Sequence, residues 1–201
     1  MHPQPSIPTQ QTGAKTDTWF SIIADTEKGA VGLFKTAVER ILDVNNWSKL
    51  CGISSAGFKL TNASGEEVNR VIEVGDYFRI DIPGPGTIAG NGYDWVEIEN
   101  IEKHLNPSAE WEAISILVRP SPNPLNNNAD TAHFFSGDAT STFLVQREKK
   151  RVTAEIHGRN EKTNTATTKP LDNLRNGIVG TAALTGFSET QWKQLVKGVL
   201  S

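Results

Sequence analysis

The sequence predicts an α+β fold: a curved antiparallel β-sheet wrapped around a long C-terminal helix, with an amphipathic helix near the N-terminus. Three observations carry this. Apolar residues recur at helical spacing between Ala30 and Leu42. From Gly57 to His157 the period is two, and every connection between the alternating runs reads as a turn or loop. After the last run, Leu171 to Leu200 returns to a helical period. A sheet that ends in one long helix must bury that helix against a sheet face.

The elements follow in order. Residues 1–15 are rich in Pro, Gln and Thr and are expected to be disordered, or ordered only by contacts elsewhere. Residues 16–201 are expected to form a single α+β domain. Trp19, Phe20, Ile22 and Ile23 mark a first strand over Thr16 to Ala24. Asp25-Thr26-Glu27 starts a helix, with acidic groups at the positive end of its dipole. Ala30, Val31, Phe34, Ala37, Val38, Ile41 and Leu42 form its apolar stripe. Asp43 to Asn46 stop it, and Trp47 opens a connection with room for another helical turn.

Phe58 and Leu60 begin the sheet. Val68, Arg70 and Ile72 read as a returning strand, followed by strands at Tyr77 to Ile82, Tyr93 to Ile101 and Trp111 to Val118. Pro83 to Gly92 is a Gly-rich loop. It lacks the Lys-Ser/Thr ending of a phosphate loop and leads into a strand, so a mobile loop over a cavity mouth or a plain hairpin loop is expected. Thr131 to Phe135, Ser141 to Arg147 and Val152 to His157 complete the sheet. In the tail, Leu171, Leu174, Ile178, Val179 and Ala182 share one face, and Gly186 can end or bend the helix. Ser188 and Gln191 have capping-box spacing, and Trp192, Leu195, Val196 and Val199 continue an apolar stripe. Leu174 and Ile178 are expected to pack on Phe143, Val145 and Ile156.

Composition narrows function by exclusion. Net charge is −3 with both signs interspersed, which gives no electrostatic footprint for nucleic acid. No run approaches the ~20 apolar residues of a membrane span, and Met1 to Lys15 lacks the apolar region of a signal peptide. A cytoplasmic, reduced location is expected. The one cysteine, Cys51, excludes an intrachain disulfide and a Cys-based zinc site. With Leu50 and Ile53 near it, a buried inert thiol is expected. The histidines lack ligand spacing, so no metal or other cofactor is expected.

The order of strand, amphipathic helix, Trp-containing connection, antiparallel strands and C-terminal helix resembles the START-like, or polyketide-cyclase-like (SRPBCC), helix-grip superfamily. The residues behind this are Trp19 to Ile23, Ala30 to Leu42 with Asp43 and Trp47, and the final hairpin leading into Leu171 to Ala183. The resemblance is one of pattern over most of the chain. It implies a cavity between sheet and tail helix that holds a small apolar or amphipathic ligand.

The candidate ligand-binding residues are His133, His157, Arg159, Glu161 and Trp95. His157, Arg159 and Glu161 fall at i, i+2 and i+4, so on an unbroken strand they share one face. An imidazole, a guanidinium and a carboxylate together can orient an anionic or carbonyl group, or move a proton. The register that buries Val152, Ala154 and Ile156 turns these side chains away from the core, so a solvent-facing strand end is the simpler expectation. A bulge near Gly158 would re-aim the later ones. His133 adjoins Phe134-Phe135 and reads as a packed edge residue. His104, beside Asn106-Pro107, is placed in a turn. Trp95 shares a register with Glu97 and Glu99 and is expected to be partly exposed. Asp94, Glu97 and Glu99 do not face one another across a cleft, as glycoside hydrolysis requires. Three functions remain open: a small-ligand binding domain, a cyclase- or hydrolase-type enzyme in the same cavity, and a protein–protein interaction domain. Oligomeric state is not legible.

Overall fold

A computed structural model of the chain describes residues 5–52, 56–183 and 188–201. The first strand, β1 (Ala14–Ile23), is longer than its apolar residues suggest. Thr26 caps α1 (Glu27–Leu42) by accepting a hydrogen bond from Gly29 N at 3.0 Å, which satisfies an orphan donor of the first turn. Ala30, Phe34, Ala37, Ile41 and Leu42 are its buried face. A 3-10 turn (Val44–Asn46) leads into the short α2 (Trp47–Cys51). Then come β2 (Gly57–Thr61), β3 (Tyr77–Asp81), β4 (Asp94–His104), β5 (Trp111–Pro120), β6 (Thr140–Glu148) and β7 (Arg151–Glu161). The tail is two helices, α3 (Pro170–Ala182) and α4 (Ser188–Leu200). Gly186, where the sequence suggests a break, lies outside the described residues, as does Ile53.

All seven strands form one curved antiparallel sheet in the order β1-β7-β6-β5-β4-β3-β2. The return of β1 to the far end of the chain, beside β7, makes the first and last strands neighbours. Helices α1, α2 and α4 lie on the inner face. There Trp47 is wholly buried, with ring centroids 5.5, 5.6 and 4.7 Å from Phe58, Phe78 and Phe143. Its indole N–H is satisfied by Ile41 O at 3.2 Å. Leu195, Val196, Val199 and Leu200 of α4 join this core. Arg40 of α1 donates to the carbonyls of Gly198, Val199 and Ser201, which sets a cation at the negative end of α4. Cys51 is buried, and burial pushes its thiol up to about 12, too high to be nucleophilic.

The tail departs from expectation. Phe143, Val145 and Ile156 share their core with α4 and not with α3. Leu171, Leu174 and Ile178 are 67%, 65% and 64% exposed. The buried side chains of α3 are Asp172, Arg175 and Asn176, so its polar face points inward.

Two expected strands also fail to form. Over 68–72, Arg70 turns aside to pair with Asp76 at 2.6 Å, leaving one bridge between Thr61 and Glu67. Over 131–135, Phe134 N donates to the Asp94 side chain, and only Phe135 bridges, to Thr163. In both places a side chain takes a backbone group that a ladder would have used: Arg70 Nη1 donates to Val71 O at 2.9 Å, and the Asp94 side chain accepts from Phe134 N. His104 is in β4 and not in a turn; it pairs with Ala113, and its ring centroid lies 5.3 Å from that of Trp111.

Candidate functional site

Among the described residues, polar clusters lie at the β1–β7 edge and the inner face of α3, and an apolar groove lies beside α1.

At the edge, Asp17 of β1 pairs with His157 of β7. Asp17 Oδ1 lies 2.6 Å from His157 Nδ1 and 2.8 Å from an Arg159 Nη. Glu155 Oε2 faces the other ring nitrogen at 3.1 Å. Both ring nitrogens thus meet carboxylates. Burial alone would lower the His157 pKa, but the bonds to Glu155 and Asp17 outweigh it and raise it. Burial acts on Asp17 in the opposite sense, yet His157, Arg159 and Lys15 draw it down to about 2.

The sequence reading of this cluster needs two corrections. His157, Arg159 and Glu161 are buried, not solvent-facing. They also do not share a face. The register slips between Ala14↔Glu161 and Thr16↔Gly158, and Asn160 sits at φ +57°, which marks one extra residue in β7. That bulge turns Glu161 to the side of Thr16 and Gly158. A Cβ on Gly158 would displace the side-chain ends of Glu161 and Thr16, which close over the glycine. Burial raises the Glu161 carboxyl to about 7, against a smaller opposing pull from Thr16 and Arg159. Its Oε2 finds no hydrogen-bond partner among the described residues.

Residues 9–12 are tied down here. Gln11 N and Thr12 N donate to Asn160 Oδ1 at 2.7 and 3.1 Å, and Asn160 N donates to Gln10 Oε1 at 3.0 Å. The segment is ordered by the bulge that the rest of the fold supplies.

At α3, Arg175 donates from two nitrogens to Asp94, at 2.8 and 2.5 Å, and from Nε to Pro85 O at 3.0 Å. Asp94 is wholly buried. Asn176 Nδ2 donates to Asn164 O at 3.0 Å, and Asn164 Nδ2 donates to Thr131 O and His133 O. Asp172 accepts from Ile88 N at 2.6 Å and Ala89 N at 3.0 Å. The Gly-rich loop is therefore not an open lid. Its backbone donors do bind an anion, but that anion is the Asp172 carboxylate. Thr87 Oγ1 donates to Tyr93 O at 2.6 Å and accepts from Gly90 N, closing the loop on itself.

His133 and Trp95 belong to this second region. Trp95 is wholly buried, where partial exposure was expected, and its indole donates to Gly90 O at 3.0 Å. His133 is buried against Phe134, centroids 4.2 Å apart, and its Nδ1 accepts from Phe135 N at 2.9 Å. Burial pushes its pKa down to about 4, so the ring is neutral and serves as a fixed acceptor. The structure thus splits the five candidates into two groups. It adds partners that sequence reasoning missed: Asp17, Glu155, Asp94, Asp172, Arg175 and Asn176. Among the described residues no group of three His, Cys, Asp or Glu side chains is placed to hold a metal ion. No described helix is long and apolar enough to cross a membrane.

One apolar concavity among the described residues is a groove of about 310 Å³ between α1 and the β4–β5 turn; a larger pocket of about 580 Å³, lined by Asn45, Asn46, Lys49, Lys59, Glu67, Val68 and Asn69, lies elsewhere and is mostly polar. Val31, Phe34 and Val38 form one wall of the groove, Leu105 and Pro107 the other, with Lys35 and Glu39 at the rim. Glu112 also lines it, but its charge is matched by Arg147 at 2.8 Å, with both side chains buried. A polar pocket of about 300 Å³ shares Val31 and Pro107 with the groove and adds Glu27, Lys28, Glu110 and Arg147. The two adjoin at Val31 and Pro107, one apolar and the other charged.

No family model matches the chain, and no curated protein matches it in sequence. Among solved structures it is similar to a hypothetical protein of Helicobacter pylori, 13% identical, with 98% of each chain covered and a TM-score of 0.51. It is also similar to norcoclaurine synthase from Thalictrum flavum (10% identical; 96% of this chain and 99% of that chain; TM-score 0.37). A third is ginseng major latex-like protein 151 from Panax ginseng (14% identical; 86% and 96%; TM-score 0.34). At these identities the likeness concerns the fold alone, and the two lower scores add nothing to it.

Proposed function

We propose that the chain is a binding domain for a small amphipathic ligand, received in the groove beside α1. The observation that carries this reading is the pairing of the apolar groove with an adjoining charged pocket. Its size is at the lower end of small-molecule sites, which are mostly apolar with a few polar groups to fix orientation. An apolar tail fits against Val31, Val38 and Leu105, and a polar head fits beside Lys28. Between the sheet and α4, where the helix-grip resemblance puts the ligand, Phe143 packs against both Trp47 and Trp192. None of His133, His157, Arg159, Glu161 or Trp95 lines the groove or the adjoining pocket, which favours binding over catalysis with those groups.

The test is titration with 1-anilinonaphthalene-8-sulfonate, an amphipathic fluorescent probe. Saturable binding is expected, weakened about tenfold or more by Leu105→Asp or Val38→Asp, because a carboxylate in the groove loses its hydration when the probe covers it. Leu174→Asp, on the far helix, should leave it unchanged. Binding indifferent to both groove substitutions would refute the proposal.

A further inference from the structure

The exposed face of α3 is a stripe of Leu171, Leu174 and Ile178 with Gly177, Thr181 and Ala182 beside it. It carries no charge. The stripe is not free to rotate inward, because Asp172, Arg175 and Asn176 hold the opposite side by the bonds to Ile88, Ala89, Asp94 and Asn164. Three large apolar side chains about two-thirds exposed on one helical face mark an interaction surface and not a scatter of surface residues.

The charges at the ends of α3 indicate what covers it. Lys169 occupies the N-cap, makes no side-chain capping bond, and pairs with no carboxylate among the described residues. A cation there has the wrong sign for its own helix, whose N-terminus is the positive end. The last turn of α3 has no basic residue to complement the negative end. An antiparallel copy of α3 corrects both faults at once, by bringing Lys169 of each chain to the last turn of the other.

We propose that α3 pairs with α3 of a second copy of this chain, antiparallel about a two-fold axis at the level of Asn176. That axis sets Leu174 against Ile178, Leu171 against Thr181, and Lys169 against Ala183. Isologous contacts of this kind are the commonest symmetric interface, and a neutral stripe meets its own copy without repulsion. Gly177 and Thr181 are small enough to let the two helices approach closely. The contact area is that of two short helices, so the dimer is weak and reversible.

The experiment is sedimentation velocity of the full chain over a concentration series, with circular dichroism to show that each variant folds. The wild type should shift from monomer to dimer as concentration rises. Leu174→Asp and Ile178→Asp should raise the dissociation constant about tenfold or more, since each buries a carboxylate without a partner. Lys169→Glu should weaken the dimer to a smaller extent and in a salt-dependent way. Register is tested by oxidation of mixed chains: Leu174→Cys with Ile178→Cys should cross-link better than either alone. Cys51, buried, does not compete. A chain that stays monomeric at every concentration overturns the proposal, as does a dimer that survives Leu174→Asp or cross-links without preference for the mixed pair. A monomer whose binding to lipid vesicles is lost in Leu174→Asp would also overturn it, by giving the face to a membrane surface.

Discussion

Helices α3 and α4 are 13 residues each, come from one stretch of tail, and are held in opposite ways. Helix α4 buries Leu195, Val196, Val199 and Leu200 against the sheet and α1, and shows its polar side to water. Helix α3 buries Asp172, Arg175 and Asn176 and shows Leu171, Leu174 and Ile178. An apolar stripe states that a helix is two-sided. It does not state which side faces the protein. That choice falls to what the helix lands on. Helix α4 lands on an aromatic core. Helix α3 lands on loops full of backbone donors and a buried carboxylate, where only a polar face can satisfy the groups it covers.

The largest effect should come from the polar anchor. Arg175→Ala leaves Asp94 buried without its partner, and removing one side of such a pair typically costs about 3–5 kcal/mol. Urea unfolding measures it; a loss under about 1 kcal/mol would mean that the network is incidental. Leu195→Ala, in the aromatic core, should cost about 2–5 kcal/mol. Leu174→Ala, by contrast, should change stability by under about 0.5 kcal/mol when measured on the monomer. Equal costs at 195 and 174 would erase the distinction between the two helices.

A smaller effect concerns pH at the β1–β7 edge. Glu161 ordinarily titrates near 4.5 and here near about 7. Between those values the unfolded chain gains a charge that the folded one resists, so stability falls as pH rises through that window and stays lower above it. The raised His157 adds in the same sense: its contribution is complete below its ordinary value of 6.5 and is lost as pH rises through the folded value. Asp17 acts at the acid end, with a contribution that is present above 3.8 and lost as pH falls through about 2. Glu161→Gln should flatten the urea-midpoint profile between pH 4.5 and 7. A variant profile parallel to the wild type in that range would contradict the assignment.

Much of the fold is legible in the sequence. The stripe from Ala30 to Leu42 and the hairpin at Lys149-Lys150 each describe contacts within a few residues of themselves. The errors lie where distant segments meet. Nothing near Phe134 says that its N–H goes to Asp94, so 131–135 reads as a strand. Nothing near Asp172 says that the Gly-rich loop will close upon it. His157 and Arg159 stand out as chemistry-bearing types, but their partner Asp17 is 140 residues away from His157, and only the register of β1 against β7 brings them together. The one available signal was the polar alternation of Lys15 and Asp17, which marks a face but not its neighbour.

The orientation of α3 is tested most directly by thiol labelling of native protein, at a dilution where the chain is monomeric. Leu174→Cys and Leu195→Cys are compared, with the buried Cys51 as internal reference. The account predicts that the thiol at 174 reacts at the rate of a free exposed cysteine, while the thiol at 195 reacts only as fast as the protein unfolds. Protection at 174 equal to that at 195 would mean that the apolar face of α3 is turned inward, and would contradict the account.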